Sequence, residues 1–174
     1  RTTLNKNPNK SKIEKENYKL ILGDTLDYLE NCPDHEIFDL VVTSPPYNIG
    51  KSYETKKSFQ DYIKWQSRII DKIIPLLKSK GSLCWQVGNF IGKDSIYPLD
   101  IAFHEIFCNH GLKLKNRIIW TYGHGLHSKR RFSGRYEVIM WYVKSENYTF
   151  NLDDVRVPSK YPNKKYYKGP RKGE

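Results

Sequence analysis

The segment Thr43-Ser44-Pro45-Pro46-Tyr47-Asn48 carries the most specific chemistry in this 174-residue chain. It follows residues 38–42, an apolar and β-branched run of the kind that forms a strand buried on both faces. Two consecutive prolines cannot continue a central ladder, because each has a fixed φ and no N–H. What remains is a rigid turn displaying carbonyl oxygens, the Ser44 hydroxyl and the Tyr47 ring. A site that must accept hydrogen bonds from an amino group while stacking on a flat ring needs those groups. Taken alone, Pro-Pro-Tyr also reads as an ordinary strand-to-loop stop. The strand before it and the Gly50-containing loop after it favour a ligand site, since open α/β sheets bind ligands at the carboxyl ends of their strands.

A second cluster is basic. Lys129, Arg130 and Arg131, with Arg135 and His127, fall in a loop between two apolar segments. Phosphate contact with counterion release is the natural role, and a solvated turn is the plain alternative. Asp24, after Gly23, reads as a helix-initiating residue. The histidines show no His-x-x-x-His spacing, and the three cysteines, Cys32, Cys84 and Cys108, lie far apart. No metal site and no disulfide framework are expected, and reduced thiols in a cytoplasmic protein are the simple reading.

Charge is partitioned along the chain. Residues 1–110 hold 15 basic and 14 acidic side chains, whereas residues 111–174 hold 15 and 5. A net charge of +1 in the first part and +10 in the second describes a neutral folded body followed by a basic face. Such a face fits a polyanion, most often nucleic acid. Aromatic residues make up 14% of the chain, which excludes a wholly disordered one. No apolar run approaches the ~18 residues of a membrane span, and the polar, lysine-rich start is not expected to act as a signal peptide.

The elements that must position these groups alternate. Residues 1–17 are polar and read as a flexible arm. A strand over 18–22 ends at Gly23-Asp24, and Thr25 can cap a helix over 26–31. Pro33-Asp34 predicts a turn before the strand over 38–42. Ser58 can cap a long helix whose apolar stripe includes Tyr62, Ile63, Ile69, Ile70, Ile73, Ile74 and Leu77 at spacings of three and four. Pro75 should kink it, and Gly81 should end it. A strand over 82–87 follows, then a helix from Pro98 to Gly111, and strands over 117–122 and 137–143 that can pair as a long hairpin. Trp85, Trp120 and Trp141 fall on strands and are expected in the core. The alternation predicts an α/β fold with a mostly parallel sheet and a C-terminal antiparallel hairpin.

Ser44-Pro45-Pro46-Tyr47 resembles the Ser/Asp/Asn-Pro-Pro-Tyr signature of the amino-group DNA methyltransferases that use S-adenosylmethionine. Gly23-Asp24 before an amphipathic helix, then 38–50, is similar to that family's N-terminal stretch. The junction from Leu76-Leu77 to Gly81-Ser82-Leu83, the run Lys129-Arg130-Arg131-Phe132, and Glu137-Val138-Ile139 resemble later parts of it. The likeness covers roughly residues 18–158. The early position of the signature matches the permuted β-class, which places its Phe-x-Gly-x-Gly cofactor loop near the C-terminus. This chain has no such loop, and Gly123-His124-Gly125 lacks the rest of the pattern.

The resemblance implies a Rossmann-like methyltransferase sheet in an incomplete domain. It divides the chain into an arm over 1–17, a partial catalytic domain over 18–147, and over 148–174 the start of a basic target-recognition region or a tail. The catalytic residues would be Ser44, Pro45, Pro46 and Tyr47, with Tyr47 stacking on a base flipped out of the duplex. Asp24, Ser44 and Pro45 would meet S-adenosylmethionine. Lys129, Arg130, Arg131 and Arg135 would contact double-stranded DNA. Serine at the first position favours cytosine N4 over adenine N6 as acceptor. A restriction-modification enzyme is implied, whose cofactor loop comes from a C-terminal half or a second chain, and a homodimer is left open. A non-catalytic DNA-binding remnant and a methyltransferase of RNA or protein are the alternatives.

Overall fold

The computed structural model describes residues 12–15, 17–32, 35–52, 54–125, 127–162, 164–165 and 167–171. Its centre is a four-stranded sheet in the order β3-β4-β8-β7, built from Phe38–Thr43 (β3), Leu77–Val87 (β4), Tyr136–Val143 (β8) and Lys113–Thr121 (β7). β3 pairs with β4 in parallel, and β8 lies antiparallel between β4 and β7. Three strands therefore point one way and β8 alone points back, which is the mostly parallel sheet with a terminal hairpin that the alternation predicts. The carboxyl ends of β3, β4 and β7 share one edge with the start of β8.

Among the described residues three α-helices accompany this sheet. α2 (Phe59–Leu76) is capped by Ser58, whose hydroxyl accepts from the Asp61 N–H. Its three-and-four stripe buries Tyr62, Ile69, Ile70, Ile73 and Ile74. α3 (Leu99–Asn109) ends at Gly111, whose φ of +76° is the left-handed conformation a glycine adopts freely. Together they cover one face of the sheet, where Leu83, Trp85 and Val87 of β4 and Val138, Met140 and Tyr142 of β8 meet Phe103 and Phe107. Trp85 packs edge-on against both phenylalanines, at ring-centre distances of 6.0 and 5.6 Å. Arg117 of β7 pairs with Asp100, which is buried in the first turn of α3.

Several elements differ from the expectation. α2 stops at Leu76 rather than at Gly81, which lies inside β4. Pro75 sits in the last helical turn, and the Pro75 and Leu76 carbonyls accept from the Glu36 and Ile37 N–H groups, so the chain entering β3 takes up the freed acceptors. α1 (Thr25–Glu30) is capped by Asp24, not Thr25, because the Asp24 carboxylate accepts from the Leu26 N–H at 2.8 Å. β2 (Tyr18–Ile21), expected in the main sheet, pairs among the described residues only with β1 (Lys12–Lys15) and stays exposed. β1 lies within the segment expected as an arm. The rest of that arm, apart from Asn17, and Pro33-Asp34 fall outside the described residues. A two-stranded ribbon of β5 (Asn89–Ile91) and β6 (Ile96–Pro98) precedes α3. Trp120 is exposed rather than buried, since its register places it on the face of the sheet opposite α2 and α3. Among the described residues no helix is long and apolar enough to cross a membrane.

Candidate active site

The carboxyl edge of the sheet gathers the expected residues from separate elements. Ser44, Pro45, Pro46 and Tyr47 leave β3. Asp24 approaches from the start of α1. The loop over 122–135 arrives from the β7–β8 hairpin.

The turn after β3 is locked from both sides. Asn48, only 2% exposed, adopts a left-handed φ of +59°. Its side chain accepts from the Lys57 N–H at 2.7 Å and donates to the Lys57 carbonyl at 2.8 Å, closing the loop over 48–57. Glu54 lies inside that loop and accepts from the backbone N–H groups of Asn48, Ile49 and Lys51 at 2.9, 2.8 and 3.1 Å. Burial pulls the Glu54 carboxyl up, but the N–H donors of Lys51, Ile49, Asn48 and Gly50 together outweigh it and hold it below the usual range.

Two clefts flank Ser44-Pro45-Pro46-Tyr47. One, of about 390 Å³, brings together Asp24, Thr43, Ser44, Pro45 and Pro46 with Gln66, Trp65 and Trp85. The three residues expected at the cofactor thus share one cleft. The Gln66 amide and the Trp85 indole N–H on its wall are buried without a hydrogen-bond partner. Orphaned polar atoms beside an open cleft fit a ligand with its own donors and acceptors, as a nucleoside bearing an amino acid has. The other cleft, of about 930 Å³, holds Tyr47, Ile49, Tyr122, His127, Arg131, Phe132, Tyr136 and Glu137. It is wide, aromatic and edged by the basic loop.

The basic residues divide. Lys129, Arg130 and Arg131 are exposed. Arg135 is half-buried, and its guanidinium donates to the Gly123 carbonyl at 3.2 Å and lies 3.3 Å from His127 Nδ1. Three cations face outward, and the fourth ties the loop together.

Tyr47 is held more firmly than the sequence foretells. Its hydroxyl lies 2.9 Å from Ser44 Oγ and donates to Glu137 Oε2 at 3.1 Å. Gln86 donates to the same carboxylate oxygen at 2.5 Å. Burial pushes the phenol up to about 12, opposed by the Ser44 hydrogen bond and reinforced by the Glu137 charge. Sequence reasoning assigned Glu137, Gln86 and Gln66 no role. The one signal for them was a lone acid at the ligand-side start of the otherwise apolar β8.

Comparison with known proteins bears on this edge. The DNA methylase family of N6/N4 type matches residues 38–174. The type II methyltransferase M.BglII of Bacillus subtilis is 47% identical over 157 residues, which is 90% of this chain and 43% of that protein. The chain thus spans less than half the length of that relative. The PvuII DNA methyltransferase, described as cytosine-N4-specific, superposes with a TM-score of 0.64 at 22% identity, over 78% of this chain and 52% of its own. A Thermus thermophilus protein solved in complex with S-adenosyl-L-methionine gives 0.59 at 22% identity, over 80% of this chain and 55% of its own. The two structural likenesses speak to the fold.

Proposed function

The chain belongs to the N6/N4 DNA methylase family, and on that premise we propose that it is the catalytic part of an S-adenosylmethionine-dependent DNA methyltransferase acting on an exocyclic base amine. The observation that carries the reading is the convergence of Asp24, Ser44 and Pro45 on one cleft, with Tyr47 on the adjoining one beside a basic loop. Bound S-adenosylmethionine supplies an electrophilic methyl carbon. Asp24, Ser44 and Pro45 are the residues that would hold it.

The exocyclic amine of a base is a poor nucleophile, because its lone pair is delocalised into the ring. Ser44 Oγ and the Pro45 carbonyl accept its N–H bonds and so favour the pyramidal form, whose lone pair is free to react. This is positioning and electrostatic work, done by groups fixed in advance. Tyr47 offers the flipped base a flat apolar face, and the wide cleft behind it is where the base enters. Lys129, Arg130 and Arg131 contact the duplex backbone. Serine in the first position favours cytosine N4 as the acceptor, and a DNA substrate implies work in the cytoplasm. The family's type II members, M.BglII among them, support a restriction-modification role.

The remaining part of the site comes from a C-terminal half or a second chain. Among the described residues the outer edge of β3 is unpaired, with Leu40 and Val42 exposed, and this supports the reading, because a strand edge beside a ligand cleft is a place for further sheet. The test is methyl transfer to DNA by the full-length protein with labelled S-adenosylmethionine. Ser44→Ala is expected to lose roughly 100-fold or more in kcat, the scale of removing one fixed polar group from a reacting centre. Full activity in both Ser44→Ala and Tyr47→Ala rejects the reading.

A further inference from the structure

Ser44, Tyr47, Gln86 and Glu137 form one chain of hydrogen bonds whose direction is fixed by its end. An ionised carboxylate can only accept, so the proton in the Tyr47–Glu137 contact is the phenol's. A phenol has one proton. The proton in the 2.9 Å contact between Ser44 and Tyr47 must therefore come from Ser44. A serine hydroxyl also has a single proton, and here it points back along the chain toward Tyr47. Only lone pairs of Ser44 Oγ are then left to face the cleft shared with Asp24 and Pro45.

We infer that Glu137 is a positioning residue that makes Ser44 a hydrogen-bond acceptor, acting through Tyr47 and braced by Gln86. This rests on the reading of Ser44 as the acceptor of the base amine. An unconstrained serine has two polarities, since a free hydroxyl can turn its proton toward an incoming N–H and repel it. The Glu137 chain removes that choice. It also draws negative charge onto the serine oxygen, because each bond in a one-way chain polarises the next. A carboxylate at the first position of the signature would accept the amine directly. Here the carboxylate stands two hydrogen bonds away, on β8, and is contributed 90 residues later than Tyr47. No proton moves along the chain; it orients the hydroxyl.

The Gln86 contact belongs to the same device. Gln86 on β4 faces Ile139, two residues from Glu137 on β8, and donates to the carboxylate oxygen that Tyr47 also uses. It fixes that oxygen in place as an acceptor. Tyr47, with its phenol raised by burial, stays protonated and remains a donor.

The experiment measures kcat and KM for DNA in the full-length protein for Glu137→Gln, Tyr47→Phe, the double variant and Ser44→Ala. Glu137→Gln is isosteric but can donate, which allows the chain to reverse and Ser44 to present its proton. Its kcat is expected to fall about 10- to 100-fold, the worth of one charge-assisted hydrogen bond, with KM for DNA unchanged. Tyr47→Phe keeps the stacking ring, breaks the chain and should fall similarly. In the Tyr47→Phe background Glu137→Gln should then cost nothing more, because the two act as a unit. Equal costs of Glu137→Gln in both backgrounds would mean a merely structural glutamate and overturn the proposal. Wild-type kcat in Glu137→Gln or in Tyr47→Phe, with Ser44→Ala inactive, also overturns it while leaving the Ser44 reading intact. Full activity in Ser44→Ala overturns both. If Glu137→Gln fails to fold by circular dichroism, Tyr47→Phe decides alone.

Discussion

Glu54 ties the loop after the signature to a pH-dependent stability. Its carboxylate accepts three backbone N–H groups of the turn that follows Tyr47, and its pKa lies below the ordinary glutamate value. A group whose folded pKa is depressed stabilises the fold above its unfolded pKa, and that contribution is lost as pH falls through the folded value. The loop over 48–57 should therefore loosen on acidification below the usual glutamate range, and not on alkalinisation. Thermal unfolding followed from pH 7 downward should show a decline in midpoint that is shallower in Glu54→Gln, because the variant has nothing to protonate there. Parallel declines in the two proteins would remove Glu54 from the account. Ser44 and Tyr47 were legible in the sequence because two prolines after an apolar strand leave few conformations. Asn48 and Glu54 were not. Their bonds to Lys57, Ile49 and Lys51 lie in a loop with no periodicity, and a left-handed asparagine carries no pattern of its own.

At the scale of elements, one residue has two duties that different substitutions separate. Asp24 caps α1 through one oxygen and lines the cleft with Ser44 and Pro45. Asp24→Ala removes the cap, at a cost of about 0.5–2 kcal/mol. Asp24→Ser keeps a capping oxygen and removes only the charge. If Asp24 also holds the cofactor, Asp24→Ser should unfold within a few tenths of a kcal/mol of wild type yet bind S-adenosylmethionine roughly tenfold more weakly by calorimetry, the worth of one hydrogen bond to a charged group. Unchanged affinity in Asp24→Ser assigns the carboxylate to the cap alone. The hairpin loop divides in the same manner. Alanine at Lys129, Arg130 and Arg131 should flatten the slope of log affinity for duplex DNA against log salt, by up to about 0.9 for each phosphate no longer neutralised. Arg135→Ala should act on loop order and leave that slope nearly unchanged, since its guanidinium is held by Gly123 and His127. α2 was readable from its three-and-four stripe and its Ser58 cap. Its end was not, because the Glu36 and Ile37 N–H groups that receive it come from a distant part of the chain. β5 and β6, of three residues each, are too short to show a period.

On the scale of the whole molecule, helices cover only one face of the sheet among the described residues. Register places Leu40, Val42, Cys84, Trp141, Ile139, Ile118 and Trp120 on the face opposite α2 and α3. Tyr148 and Phe150 cover Trp141, at ring-centre distances of 5.5 and 5.1 Å, while Leu40, Val42, Ile118 and Trp120 remain 45–68% exposed. α/β sheets of this kind are covered on both faces, because strands rich in valine, isoleucine and leucine have two apolar sides to remove from water. The outer edge of β3 is also unpaired among the described residues. Charge partition and length gave no warning of this, since neither reports which side of a strand is covered. If the remainder of a longer protein completes the sheet, the 174-residue chain alone should bind a hydrophobic dye and associate at micromolar concentration, and the full-length protein should do neither. Hydrogen exchange locates the docking edge. The amides of β3 that point away from β4 should exchange rapidly in the isolated chain and become protected in the full-length protein, whereas those of β8, paired on both sides, should be slow in both. Equal exchange at β3 in the two forms would mean that the added chain docks elsewhere. Protection at β3 together with loss of dye binding would place it beside Ser44 and Asp24, which line the cleft.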